Sequence, residues 1–299
     1  MIDFANLSRA NFNSQTPWKQ PDFVLPGVRR GELAILAAAG ASGKSYLSQM
    51  WAMSLSAGVQ IFSFLPAEKP LKVLLLQFED LTEDLTNRGN AVLRAYPELE
   101  NRDLNDNFFA AALPGQCMDL VGVVDGAETV NERAEAELKD FLQGYDLAIL
   151  DPLTNIWSGC DENNQGVAMQ LMMTLRRVAV HSNSAILVCH HINKASMFLG
   201  KSNEAGAVRG SGAIVNSPRC VLTMSPVKND FGNINSRETS LNWVKLNNHS
   251  PIDPRVLYRG YRGVLYEDHM AAALSVSLGD GTSVSENPFA GGMSDDNLY

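Results

Sequence analysis

Residues able to do chemistry cluster first at 37–49, AAAGASGKSYLSQ. Gly40 and Gly43 precede Lys44 and Ser45 in the order of the phosphate-binding pattern G-x-x-x-x-G-K-[ST], with Ala38 where the pattern has its first glycine. Such a loop works through its backbone. The N–H groups of Gly40, Ala41, Ser42 and Gly43 converge on phosphate oxygens, and a helix opening at Lys44 adds positive partial charge. The Lys44 ammonium would reach the β and γ phosphates, Ser45 would ligate Mg²⁺, and Tyr46 completes the segment expected to line the nucleotide. The first glycine only begins the turn, so alanine serves there while φ stays negative. An ATP site is the expectation; a flexible surface turn is the competing reading.

Hydrolysis also needs an acid to organise the metal and a base for the attacking water. Asp151 ends the apolar run YDLAILD, where a metal-organising carboxylate belongs; a turn residue before Pro152 is the alternative. Glu79 and Asp80 end LKVLLLQF, and His190 and His191 end AILVCHH. In a parallel sheet these strand ends share the carboxyl edge, where ligands bind. An imidazole there can touch the γ-phosphate and report its loss, unless it is a core histidine satisfied by backbone groups.

The elements that must position these residues are legible as alternation. Apolar runs at 32–39, 71–78, 145–151 and 185–191 alternate with helical patterns at 45–57, 82–96, about 128–143 and 166–181. Such alternation predicts an α/β domain with a mainly parallel sheet and helices on both faces. Beyond Arg209 the pattern changes to hairpins, 218–227 with 237–246, then 255–267. Residues 268–299, rich in Gly, Ser, Asn and Asp, hold too little apolar surface to pack and read as an acidic tail.

Bulk properties set limits. The chain has 299 residues, 45% hydrophobic and 19% charged, as in a soluble globular domain. Neither a signal-peptide core nor a membrane-length apolar run is visible, so a cytoplasmic protein with no membrane partner is expected. Cys117, Cys160, Cys189 and Cys220 lack metal-ligand spacing and read as reduced thiols. The net charge of −9 is unfavourable to nucleic acid, but six acids and no Lys or Arg follow Arg262, leaving room for a local basic groove.

The assembly resembles the RecA-like hexameric helicases of superfamily 4, and within them the plasmid replicative helicases of the RepA kind. The matching stretches are DFVLPGV, AAGASGKS, LLLQFED, LAILDPL, AILVCHHINKAS, AVRGSGAIVNSPR and WVKLNN, spanning residues 22 to about 266. RepA-like loops also tolerate a non-glycine at the first position. The resemblance implies a RecA-like P-loop NTPase core over 22–267, after an N-terminal segment 1–21 and before the tail 268–299.

It further implies Glu79 as catalytic base, Asp151 as Walker B aspartate and metal ligand, and His191 as phosphate sensor. Arg219 in NSPR resembles an arginine finger, and Lys245 in WVKLNN a lysine that reaches a neighbour's nucleotide. Both would act across a subunit boundary, in a homo-oligomeric ring, most simply a hexamer. The segment INKASMFLGKSNEAGAVRGSG (192–212) takes the place of the channel loop, where Lys194, Lys201 and Arg209, facing only Glu204, would hold single-stranded DNA. A second loop, 155–166, is acidic, and Trp157 and Phe198 are the only aromatic stacking candidates in the two.

The implied activity is an ATP-driven replicative DNA helicase of a plasmid, phage or other mobile element. The alternative is a RecA-like regulatory or recombination ATPase that assembles on DNA or a protein partner without unwinding. A small-metabolite kinase would need neither Arg219 nor Lys245. The tail is a docking peptide for a replication protein, or simply a solvating segment.

Overall fold

The computed structural model describes residues 21–66, 69–157, 161–193, 196, 204–228 and 234–278. Two short antiparallel strands, β1 (Phe23–Leu25) and β2 (Val28–Arg29), lead into β3 (Leu33–Ala38), all of whose residues are buried. The phosphate loop follows, then α1 (Lys44–Ala57), stopped at Gly58. β4 (Val73–Gln77) and α2 (Thr82–Ala95) come next, then α3 (Arg102–Asn107) and β5 (Phe108–Ala112). A small hairpin, β6 (Val121–Val124) with β7 (Ala127–Val130), precedes α4 (Glu132–Phe141). β8 (Leu147–Asp151), α5 (Gln165–Ser182) and β9 (Ala185–His191) complete the alternating part. The chain then forms β10 (Cys220–Lys228), β11 (Ile234–Leu246), β12 (Arg255–Arg259) and β13 (Leu265–Tyr266), with a C-terminal helix His269–Leu278.

One nine-stranded sheet carries all but the two small hairpins, in the order β13-β12-β11-β10-β3-β9-β8-β4-β5. The six strands from β10 to β5 are mutually parallel, and β11, β12 and β13 extend the sheet antiparallel. Alternate residues of the parallel strands feed two cores, one on each face. Leu36, Leu75, Ile149 and Leu187 join α1 on one side, and Ile35, Leu74, Ala148 and Ile186 join α4 and α5 on the other. Side chains burying on both faces explain why these strands read as unbroken apolar runs.

Four features depart from the sequence reading. β10 is a parallel neighbour of β3 as well as one arm of a hairpin, so the hairpins are continuous with the nucleotide-binding sheet. β5 is an additional parallel edge strand. Helix α4 begins at Glu132, because Asp125 and Gly126, both at positive φ, turn β6 into β7, and the Asn131 side chain accepts from Ala134 N to cap the helix. Residues 269–278, assigned to the tail, form a helix. Asp268 accepts from Met270 N and Ala271 N, and Ala272 is buried in the same core as Tyr266. The tail beyond 278 and the N-terminal segment 1–20 lie outside the described residues. Among those described, no helix is long and apolar enough to cross a membrane.

Candidate nucleotide site

α1 opens with no side-chain cap and no acidic residue in its first turn. Its first N–H groups therefore lack the partner a helix normally finds, and the positive end of its dipole is uncompensated. Gly43 precedes it in the left-handed region, at φ 96, which a β-carbon disfavours. Ala38 is the last residue of β3, opposite His191 on one side and Met224 on the other, and is not among the positive-φ residues. A β-carbon there meets no conformational penalty. The turn that follows is closed by Ser42, whose N and Oγ both donate to the Ala39 carbonyl, at 3.2 and 2.7 Å.

Lys44 Nζ is hydrogen-bonded and ion-paired to Asp151 Oδ1, with both side chains nearly buried. Burial works against the lysine's charge, but the negative groups around it, Asp151 first and Glu79 further off, together outweigh this and hold its pKa above the ordinary value. Ser45 Oγ donates to Asp151 Oδ2 at 3.4 Å. The β4/β8 register sets Asp151 opposite Gln77, so Glu79 emerges two residues further along the same edge. Glu79 Oε1 stands 3.9 Å from His191 Nε2. The His191 ring facing it, opposed by partial burial and aided by the Lys44 charge, holds the Glu79 carboxyl below its ordinary range. At neutral pH Glu79 is therefore an anion, and its side chain is 57% exposed, within reach of water.

The donor set can be tested against a metal. Among the described residues there is no cluster of three or more His, Cys, Asp or Glu able to hold an ion. Ser45 and Asp151 offer a hydroxyl and a carboxylate, hard oxygen donors too few for an all-protein cage. That fits Mg²⁺, which keeps several waters and takes its remaining ligands from substrate phosphates.

Other expected residues lie elsewhere. Asp80 turns from the edge to accept from Arg88 Nη2 at 2.7 Å, and Arg88 also donates to Gln77 and Gln49. Tyr46 donates its hydroxyl to the Arg262 carbonyl, and its ring lies 5.5 Å from the Arg88 guanidinium. His190 is a core histidine: it is fully buried, its Nε2 lies 2.9 Å from the Arg209 carbonyl, and burial pushes its pKa down to about 4. Of the pair, His191 is the one at the edge.

Arg209 does not stand free beside Glu204; its Nε donates to Glu162 Oε1 at 2.5 Å. Trp157 is buried, which removes it as an exposed stacking platform. Lys194, Lys201 and Phe198 lie outside the described residues.

Arg219 and Lys245 sit at the opposite end of the sheet. Arg219 N donates to the Leu33 carbonyl, before β10 runs alongside β3 from Cys220↔Ala34 to Met224↔Ala38. Arg219 is thus about five strand residues, roughly 17 Å, from the phosphate loop of its own chain. Lys245, opposite Val221, donates to the carbonyls of Val215 and Asn216 at 3.1 and 2.6 Å. Burial, followed by the charge of Arg219, lowers its pKa.

Contacts the sequence reading missed brace the loop from behind. Thr239 Oγ1 donates to the Ser42 carbonyl at 3.0 Å, and Arg259 Nη2 to the Ala41 carbonyl at 2.8 Å. These residues lie 197 and 218 positions from their partners, and no local pattern marks them. Arg88 was the more findable, as a cation in the helix that follows the acidic strand end.

Comparisons with known proteins agree with this architecture. The ATPase domain of G40P superposes with a TM-score of 0.54 at 12% identity, over 80% of this chain and 85% of that one. A KaiC-like protein from Pyrococcus horikoshii OT3 gives 0.53 at 11% identity, over 84% and 100%. The RadB recombinase gives 0.49 at 14% identity, over 79% and 91%. At such identities the first two establish a shared fold, the RecA-like α/β sheet. The family of AAA domains called AAA_25 matches residues 5–197. That match runs from ahead of the phosphate loop to just past His191, across most of the chain and every element that delivers Lys44, Glu79, Asp151 and His191 to one edge; the chain belongs to this AAA domain family.

Proposed function

We propose that this RecA-like domain hydrolyses ATP with Mg²⁺ and works as a ring, most simply a hexamer, as a RepA-like replicative DNA helicase of a plasmid, phage or mobile element, moving on single-stranded DNA in the cytoplasm. The carrying observation is that an anionic, water-accessible Glu79 shares an edge with the Lys44–Asp151 pair and lies 3.9 Å from His191 Nε2. In this reading Glu79 takes a proton from the water that attacks the γ-phosphorus. The new P–O bond forms as the bond to the bridging oxygen breaks, releasing ADP. Lys44 exchanges Asp151 for phosphate oxygens, and the N–H groups of Gly40, Ala41, Gly43 and the first turn of α1 hold the rest, that of Ser42 being used to close the turn on the Ala39 carbonyl. Mg²⁺, when bound at Ser45 and Asp151, neutralises charge on the phosphates. His191 links Glu79 to the segment that follows it.

Arg219 supports assembly because it cannot reach the loop of its own chain. Head-to-tail packing would bring it to a neighbour's, as in heterologous contacts that close into rings. The test combines steady-state ATP hydrolysis with and without oligo-dT and strand displacement on a forked duplex. Oligo-dT-stimulated hydrolysis with strand displacement is expected; an absence of hydrolysis in an assembled, Mg²⁺-supplied sample overturns the reading.

One observation favours the second reading, an ATPase that assembles on DNA or a protein partner without unwinding. Arg209, the described cation of the proposed strand-binding segment, is already engaged by Glu162. Hydrolysis by a ring that never displaces a strand would select it.

A further inference from the structure

The family match ends at residue 197, yet the phosphate loop is held by residues beyond it. Ala39 N donates to the Met224 carbonyl at 3.0 Å, Thr239 Oγ1 to that of Ser42, and Arg259 Nη2 to that of Ala41. A trans peptide points its C=O and the next N–H in opposite directions. Fixing the Ser42 carbonyl therefore aims the Gly43 N–H, and fixing the Ala41 carbonyl aims the Ser42 N–H at Ala39, which closes the turn. Ala41 needs such holding. It sits at φ 58, in the left-handed region that costs an L-residue roughly 1 kcal/mol.

Arg259 is more than a strut. A β-carbon on Gly43 would stand 3.1 Å from its Nη2, so the guanidinium lies against the residue that opens α1. No carboxylate among the described residues lies within ion-pair distance of it, and its Nε is buried without a hydrogen bond. An uncompensated, partly buried cation beside an uncapped helix N-terminus is unfavourable alone and favourable next to an anion.

We propose that Arg259 and Thr239 are positioning residues of the nucleotide site: the C-terminal sheet sets the conformation of the phosphate loop, and Arg259 adds a second cation, in cis, to the field that binds the triphosphate. The proposal rests on the ATP reading above.

The test uses the full chain and a fluorescent ATP analogue with Mg²⁺. Arg259→Gln is expected to weaken binding by about tenfold, the loss of a charge-assisted contact. Thr239→Val should weaken it by about threefold, since one neutral hydrogen bond is lost. Arg259→Lys should recover part of the affinity. In steady state the loss appears in KM, with kcat within about threefold of wild type. Arg255→Gln, four residues earlier on β12, is the control for general damage to the strand. Wild-type affinity in Arg259→Gln, or an equal loss in Arg255→Gln, overturns the proposal while leaving the ATP reading intact. A wild-type chain that binds no analogue overturns both.

Discussion

Ala38 and Ala41 occupy the same loop under opposite conditions: the first ends a strand in extended backbone, the second needs positive φ and outside contacts to keep it. The two histidines at the end of β9 divide in a similar way. His191 is partly exposed and faces Glu79, whereas His190 is enclosed, donates from Nε2 to the Arg209 carbonyl and leaves Nδ1 without a partner. Burial holds His190 at about 4, below the ordinary value of 6.5, so the folded state excludes a proton that the unfolded chain accepts. Its contribution is complete above pH 6.5 and is lost as pH falls through 4, a decline on the order of 3 kcal/mol. His190→Gln keeps a donor for the carbonyl and cannot titrate. Urea midpoints measured from pH 7 to 4 should fall less steeply for this variant than for wild type, and equal slopes would rule His190 out as the source. That Lys44 and Ser45 open a helix after an apolar strand, and that Glu79, Asp151 and His191 stand at the ends of parallel strands, was legible from the apolar runs and their polar ends. The residues alone left the choice between the two histidines open, and only the resemblance pointed to His191, because the burial of His190 depends on the neighbouring Arg209 segment.

At the scale of elements, the segments flanking β9 and α5 are laced together. Ile192 bridges Val208, Arg209 N donates to the His191 carbonyl, and Ser211 N donates to that of Glu162. Gly210, at φ 85, passes so close that a β-carbon would stand 2.7 Å from the Glu162 oxygen. The described ends of the acidic loop and of the proposed strand-binding segment are thus joined, and Glu162 occupies the Arg209 guanidinium as a phosphate would. Glu162→Gln should tighten oligo-dT binding by about threefold to tenfold and steepen its salt dependence by about one phosphate contact. Unchanged affinity and slope would show that Arg209 does not meet the strand. The alternating βα elements were readable because burial on both faces leaves long apolar runs. The parallel pairing of β10 with β3 was not, because a hairpin signal says which strands are consecutive and nothing about which third strand they join.

At the scale of the whole molecule, the sheet separates the residues of the proposed hydrolytic site into two groups. Lys44, Glu79 and Asp151 lie at the carboxyl edge, while Arg219 and Lys245 lie near the start of β10, at the far end of the same sheet. Lys245 is occupied by two carbonyls within its own chain, which makes Arg219 the stronger candidate to act on a neighbour. If Arg219 does so, Lys44→Ala and Arg219→Ala each abolish turnover alone but fail at different positions of the same interface. Co-assembled in equal amounts, they regenerate an intact pairing wherever an Arg219→Ala subunit supplies the loop and a Lys44→Ala subunit supplies the arginine. Random mixing in a head-to-tail ring makes that about a quarter of the interfaces. ATP hydrolysis of the mixture should therefore recover to about that fraction of wild type, from a loss of roughly 10³-fold or more in each variant alone. A mixture as inactive as its components would mean that the two residues do not share a site across a boundary, and an Arg219→Ala assembly with full activity would remove the arginine from the reaction.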